Sequence, residues 1–166
     1  MTNMLDNPKT IKLDRMRYAK NTFSSGLTYL AILFNVFYFV SIYESDVGNW
    51  YYQILIGASI VYNLVFMLMT FLASEGVKSY KEGYGWLLLA AGAGQIARIF
   101  ILPMQAYKAT VTISKVTYPV MEKSQLIWVI IFLAASALCC FVAGAVGVYR
   151  SHTLAAYNAS LEEKAA

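Results

Sequence analysis

The sequence has little charge, and the charge that it has lies outside its apolar stretches. Charged residues make up 13% of the 166 residues and apolar residues 59%, whereas a soluble domain carries roughly 25% charged residues. Four apolar runs contain neither aspartate nor glutamate, and only one of them contains a formal charge, Arg98. This segregation excludes an ordinary soluble domain and indicates a chain that crosses a membrane four times.

Other absences narrow the chemistry that the chain can carry. The single histidine, His152, follows the last apolar run, so bis-histidine haem binding within one chain and a histidine-rich metal site are excluded. The adjacent Cys139 and Cys140 cannot form an unstrained disulfide and have no CxxC spacing. The spans hold no carboxylate for proton exchange, and HExxH, GxSxG and Gly-rich phosphate-loop motifs are missing. We therefore expect no enzyme, no metal and no cofactor.

The apolar runs predict an all-α bundle of four membrane-spanning helices at about residues 23–43, 53–74, 84–103 and 125–149. Each run is long enough, because about 20 residues at 1.5 Å each cross a 30 Å hydrocarbon layer. Residues 1–22 form a basic N-terminal arm, either an interfacial helix that begins near Pro8 or an irregular tail. The outer loop 104–124 contains a β-branched stretch that fits a strand pair or an irregular cap, and residues 150–166 form a C-terminal tail.

The distribution of cations predicts that both termini are cytoplasmic. In this orientation cations are in excess on the inner side, as the positive-inside rule requires. The inner set is Lys9, Lys12, Arg15, Arg17, Lys20, Lys78, Lys81, Arg150 and Lys164, and the outer set is Lys108, Lys115 and Lys123. The net charge of +4 therefore indicates anionic lipid at the basic arm rather than nucleic acid. Compact loops without a targeting extension favour a bacterial cytoplasmic membrane.

Small residues predict close packing between the third and fourth spans. Ser136, Cys140 and Gly144 recur every four residues in the fourth span, and Ala90 and Gly94 are the matching positions in the third. Small side chains allow two helix backbones to approach closely inside a membrane. We expect these five residues to form the packing face.

Three amides fall near the middle of the membrane on three different spans, namely Asn35, Asn63 and Gln95. A buried amide in lipid needs a hydrogen-bonding partner. The three side chains either bond one another and fix the bundle, or form a polar site for a small solute or a partner helix.

Arg98 lies one turn beyond Gln95, towards the outer side. Its long side chain can snorkel to the outer headgroups, or contact an acidic ligand, a lipid or a partner subunit. A third alternative is a salt bridge to an acidic residue near the outer surface. The candidates for that salt bridge are Glu44, Asp46 and Glu122.

These features favour a non-catalytic integral-membrane subunit of a larger complex, for example a transport complex, that acts through helix–helix contacts. Its partners would be other integral membrane subunits, whereas self-association would fit the alternative function. The alternative is a self-sufficient oligomeric transporter or solute-binding membrane protein, in which the three amides and Arg98 line a water-filled cavity. Contacts among those residues in a dry interior would favour the first function. A third possibility is a lipid-handling enzyme that borrows catalytic residues from a partner.

Overall fold

The computed structural model describes residues 8–42, 50–113 and 116–165. Four of its helices are long and apolar enough to cross a membrane, which confirms the predicted four-span helical bundle and fits a multi-pass membrane protein. The elements are α1 (Pro8–Tyr18), α2 (Thr22–Ile42), α3 (Trp50–Lys78), α4 (Glu82–Ile101), α5 (Pro103–Lys108), β1 (Thr110–Ile113), β2 (Val116–Pro119) and α6 (Lys123–Ala165).

The break between α4 and α5 lies at Pro103, where the sequence predicts a kink or an end. Pro103 is the first residue of α5, a position that needs no backbone N–H donor. Beyond α5, the β-branched stretch forms an antiparallel hairpin in which Thr112 pairs with Thr117. The strand pair is thus the alternative that the structure adopts for the outer loop.

The four long helices run alternately up and down around a common interior. Helix α6 packs against α2 and α4, and α3 packs against the same two helices from the opposite side, so α3 lies diagonally across from α6. Buried apolar side chains fill the interior in three layers. Representative residues are Ile99, Leu133 and Met121 near the hairpin, Ala31 and Phe66 in the middle, and Val77 and Leu88 at the far end.

Helices α4 and α6 approach closely, but through a different face of α4 from the predicted one. A Cβ atom added to Gly85 would lie 3.2 Å from the Gly144 carbonyl oxygen, and one added to Gly92 would lie 3.2 Å from the Ala137 carbonyl oxygen. Gly85 and Gly92 are seven residues apart and share one stripe of the helix, since each residue turns the helix by about 100°. Ala90, two residues from Gly92, points to the opposite side and is exposed.

Two other members of the predicted packing face, Gly94 and Ser136, contact different helices. A Cβ atom on Gly94 would lie 2.7 Å from the Tyr62 hydroxyl oxygen, so this glycine faces α3 rather than α6. The Ser136 hydroxyl donates to the Ala31 carbonyl oxygen of α2 at 2.8 Å. Cys140 is fully buried and belongs to the middle apolar layer. Of the five predicted residues, Gly144 is the one whose backbone lies against α4.

The N-terminal arm, the α3–α4 turn and the C-terminal extension of α6 meet at one end of the bundle, which we call the arm end. Buried Asn21 connects them, since its N–H donates to the Lys78 carbonyl oxygen at 3.0 Å and its Oδ1 accepts from Arg150 Nη1 at 2.8 Å. The opposite end, capped by α5 and the hairpin, is the hairpin end. All described cations of the predicted inner set lie in the segments that gather at the arm end.

Exposed aromatic side chains on α6 mark the thickness of the layer that the bundle fits. Trp128 and Tyr149 are both largely exposed, and the helix between them measures about 32 Å at 1.5 Å per residue. This length matches a hydrocarbon layer of about 30 Å, whose surfaces favour tryptophan and tyrosine. Residues 150–165 of α6 therefore extend beyond the layer at the arm end.

The turn after α3 contains a strained backbone position that yields a stability prediction. Tyr80 has a φ of 56°, and the Tyr80 and Lys81 N–H groups donate to the Val77 and Gly76 carbonyl oxygens at 3.1 and 3.0 Å. This is the pattern of a Schellman motif, in which glycine normally occupies the left-handed position. Tyr80→Gly is expected to raise the free energy of unfolding by about 1 kcal/mol.

Thermal unfolding of the detergent-solubilised protein measures this effect. Tyr80→Ala is the matched control, because it removes the same ring but retains the Cβ atom that disfavours a positive φ. If alanine stabilises the protein as much as glycine does, the ring rather than the backbone is the source of the strain.

Candidate functional site

The Arg98 side chain points into the bundle rather than towards the headgroups, and only 5% of the residue is exposed. Its Nη1 donates to Asn63 Oδ1 at 2.6 Å, and its Nη2 donates to the backbone oxygen and Oγ of Ser59 at 3.2 and 2.5 Å. The guanidinium therefore joins α4 to α3, and the snorkelling interpretation is wrong. Glu44 and Asp46, two of the candidates for a salt bridge, lie outside the described residues.

Asn35 connects α2 to the same group. Its Oδ1 accepts a hydrogen bond from Gln95 Nε2 at 3.0 Å and a longer one from Arg98 Nη1 at 3.4 Å. Gln95 and Arg98 are three residues apart on α4 and so share one face of the helix. The structure thus brings the four predicted polar residues into contact and adds Ser59. We call Asn35, Ser59, Asn63, Gln95 and Arg98 the polar cluster.

Ser59 is the member that the sequence interpretation missed. It lies four residues before Asn63, which places both side chains on one face of α3. That spacing is the signal that points to it. Single serines are common in membrane helices, so the signal becomes specific only once a cation is known to lie opposite.

The Arg98 guanidinium lies over two tyrosine rings. The Cζ atom of Arg98 lies 4.2 Å from the ring centroid of Tyr38 on α2 and 4.7 Å from that of Tyr62 on α3. A planar guanidinium stacks well on aromatic faces, where the ring quadrupole attracts the cation. Both rings therefore stabilise the positive charge, in addition to the hydrogen bonds.

The donors of Arg98 fix how the two asparagines are turned. Arginine has donors only, so Asn35 and Asn63 must present their Oδ1 atoms to it. Rotating either amide would place its NH₂ group against the guanidinium. As a result Asn35 Nδ2, Asn63 Nδ2 and Gln95 Oε1 have no hydrogen-bond partner among the described residues, although all three side chains are fully buried.

These three atoms are available for hydrogen bonds that the described residues do not supply. A buried polar atom without a partner costs about 1–3 kcal/mol. Two NH₂ groups beside a cation suit an anion or a carbonyl oxygen, and the Gln95 carbonyl suits a donor. The cluster can therefore either stabilise the bundle by connecting its helices or bind a small polar ligand.

The polar cluster lies slightly beyond the middle of the membrane layer, towards the hairpin end. Arg98 follows the exposed Trp86 of the arm end by twelve residues, which corresponds to about 18 Å along α4. The apolar layer that contains Leu102 and Met121 covers the cluster towards the hairpin end, and the layer around Phe66 lies towards the arm end. The cluster is thus enclosed between two apolar layers.

The remaining described residues bring together no group of three or more histidine, cysteine, aspartate or glutamate side chains that would hold a metal ion. Within the part of the chain that the structure describes, the polar cluster is the candidate functional site. A scan against protein-family models, a search of curated proteins and a search of solved structures each found no match to this chain.

Proposed function

We propose that the chain is a non-catalytic integral-membrane subunit of a larger complex, which it joins through helix–helix contacts. One observation carries this proposal: the polar residues of the interior bond one another across α2, α3 and α4. Hydrogen bonds that a transporter would offer to a solute are used here to connect helices. The bundle is then a preassembled block that presents its outer surface to partners.

The outer surface of α3 supports the same function. Only 28% of its span is buried within the bundle, compared with 39% of the span that begins at α4. Its exposed face includes six large apolar side chains, namely Val61, Leu64, Val65, Leu68, Phe71 and Leu72. Lipid or the helix of a partner subunit can cover such a face, and we propose a partner helix at α3.

The distribution of cations supports an orientation of the bundle in the membrane. Cations of the predicted inner set gather at the arm end, whereas the described cations of the hairpin end are Lys108 and Lys123. The positive-inside rule then places the arm end in the cytoplasm. Compact connections between the spans favour a bacterial cytoplasmic membrane.

Native mass spectrometry of the tagged protein, extracted gently from its own membrane, tests the subunit function. We expect other chains in stoichiometric amounts. A second preparation with Val61→Trp and Leu68→Trp adds bulk to the exposed α3 face and is expected to lose those chains. The matched control, Leu138→Trp, adds bulk to an exposed position of α6 and should retain them. Recovery of the chain as a monomer or homo-oligomer alone would contradict the proposal.

The second candidate function is a solute-binding membrane protein, and the three unbonded amide atoms of the polar cluster favour it. A small carboxylate or another monovalent anion would accept hydrogen bonds from the Asn35 and Asn63 NH₂ groups. Acetate is then expected to raise the melting temperature of the wild-type protein more than that of Asn63→Leu, at equal ionic strength. An equal shift in both proteins would remove this candidate.

A further inference from the structure

The arm end carries a basic surface that the subunit function does not use. We propose that it binds the phosphate groups of anionic phospholipids in the adjacent leaflet, at a site where α1 joins the bundle. The core of this site consists of Lys20, just before α2, and Lys81, just before α4. We call these two residues the headgroup site.

Hydrogen bonds hold the arm in a defined place rather than leaving it as a loose tail. Asn21 fixes the start of α2 to the end of α3 and to Arg150. Asp14 lies seven residues before Asn21, and Tyr157 lies seven residues after Arg150. The Tyr157 hydroxyl donates to Asp14 Oδ1 at 3.0 Å. Helix α1 and residues 150–165 of α6 therefore leave the bundle side by side, as a two-helix stalk whose base lies beside Lys20.

The cations of the arm end exceed the acidic groups that face them. Lys12, Arg15, Lys20 and Lys81 are exposed and form no salt bridge with any described residue. The acidic groups nearby are already engaged. Asp14 accepts from Tyr157 and lies 4.0 Å from Arg17. Glu75 lies 3.0 Å from Lys78 and also attracts Lys20, and Glu82 accepts from Trp86 at 3.3 Å. Glu162 and Glu163 lie at the far tip of the stalk.

The level of the headgroup site on the bundle selects lipid as the occupant. Tyr18 and Phe23 on either side of Lys20 are 86% and 53% exposed, and Trp86 follows Lys81 by five residues. Exposed tryptophan and tyrosine rings lie at the surface of the hydrocarbon layer, and the headgroups extend about 5–7 Å beyond it on each side. Lys20 and Lys81 therefore lie at the level of the lipid phosphates. This level is specific to a lipid ligand, since an acidic soluble protein could bind cations at any distance from the membrane.

The stalk adds a weaker, longer-range attraction. Arg15 lies five residues from Lys20, or about 8 Å along a helix, which is within roughly one Debye length of 8–10 Å at ordinary salt concentrations. Lys12 lies eight residues from Lys20, or about 12 Å, and so contributes less. Anionic lipid attracts a juxtamembrane lysine or arginine by an amount that falls off over this distance. Headgroups are thus drawn to the base of the stalk, where Lys20 and Lys81 contact them.

Native mass spectrometry of the full chain in detergent, titrated with phosphatidylglycerol or with phosphatidylcholine of the same acyl chains, tests the inference. The wild-type protein is expected to bind phosphatidylglycerol more tightly. Lys20→Gln with Lys81→Gln should weaken that binding by about tenfold or more. The matched control, Lys108→Gln with Lys123→Gln, removes the same charge at the hairpin end and should change it less than twofold.

Two outcomes would overturn the headgroup site. Equal loss of phosphatidylglycerol in both double variants would show a general effect of net charge rather than a site at the arm end. Equal affinity of the wild-type protein for the two lipids would remove any preference for anionic headgroups. Melting temperatures of all three proteins are compared first, and the preference itself is expected to fall as salt rises from 0.05 to 0.5 M, about a threefold decrease in Debye length.

Discussion

Replacing Arg98 with leucine is expected to lower the free energy of unfolding by about 4 kcal/mol. The loss comes from four interhelical hydrogen bonds of its side chain, worth about 0.6 kcal/mol each in a membrane, and from two cation–π contacts, worth about 0.5–1 kcal/mol each. The substitution removes the side chain that joins α3 to α4 and that also reaches Asn35 of α2. It leaves the buried Asn63 Oδ1 and Ser59 Oγ without the donor that they face.

Arg98→Lys separates the charge from the shape of the group. Lysine retains the positive charge, but its single ammonium group cannot span Ser59 and Asn63 in the fork geometry of a guanidinium. We therefore expect the free energy of unfolding of Arg98→Lys to lie between that of the wild type and that of Arg98→Leu. Arg15→Leu, which removes a cation from the exposed face of α1, is the control for net charge and should change stability by less than 0.5 kcal/mol.

The measurement is equilibrium unfolding in mixed micelles, combined with a double-mutant cycle. Because Arg98 and Asn63 are in direct contact, the effects of Arg98→Leu and Asn63→Leu should add to more than the effect of the double variant. Membrane insertion itself should improve slightly without Arg98, since a charge in a span opposes insertion by about 2.5 kcal/mol or more. Unchanged unfolding of Arg98→Leu would show that the polar cluster does not hold the helices together.

The polar cluster also shows what a single sequence can and cannot predict about a membrane bundle. Composition and run length predict the four spans, because a 30 Å layer requires about 20 apolar residues whatever packs against them. Depth predicts that Asn35, Asn63 and Gln95 lie at a similar level. The sequence cannot show that Arg98 turns inward, because snorkelling and inward bonding differ only in what lies opposite the side chain.

Helix rotation is the second property that the sequence leaves open. The third span contains small residues on nearly every side, at Gly85, Ala90, Gly92 and Gly94, so several faces could approach the fourth span. In the structure Gly85 and Gly92 pack against α6, whereas Gly94 packs against Tyr62 of α3. This choice follows from placing Gln95 and Arg98 towards α2 and α3, which fixes the rotation of α4 about its axis.

Gly144→Ala tests that rotation where the backbones are closest, and it is expected to lower the free energy of unfolding by about 1–3 kcal/mol. The added Cβ atom would lie 2.8 Å from the Gly85 carbonyl oxygen. That oxygen belongs to the backbone of α4, so relief of the clash requires α4 and α6 to separate rather than one side chain to turn.

Gly26→Ala is the matched control, because a Cβ atom at this helical glycine meets nothing within 4 Å. It should be neutral or stabilising, since alanine is favoured over glycine in a helix by about 1 kcal/mol.

Separating α4 from α6 at the arm end also tilts α4 against α2 and α3, where Gln95 and Arg98 make their hydrogen bonds. Gly144→Ala should therefore weaken the Arg98–Asn63 coupling measured by the cycle, whereas Gly26→Ala should preserve it. An unchanged coupling in Gly144→Ala would mean that the polar cluster and the glycine contact stabilise the bundle independently.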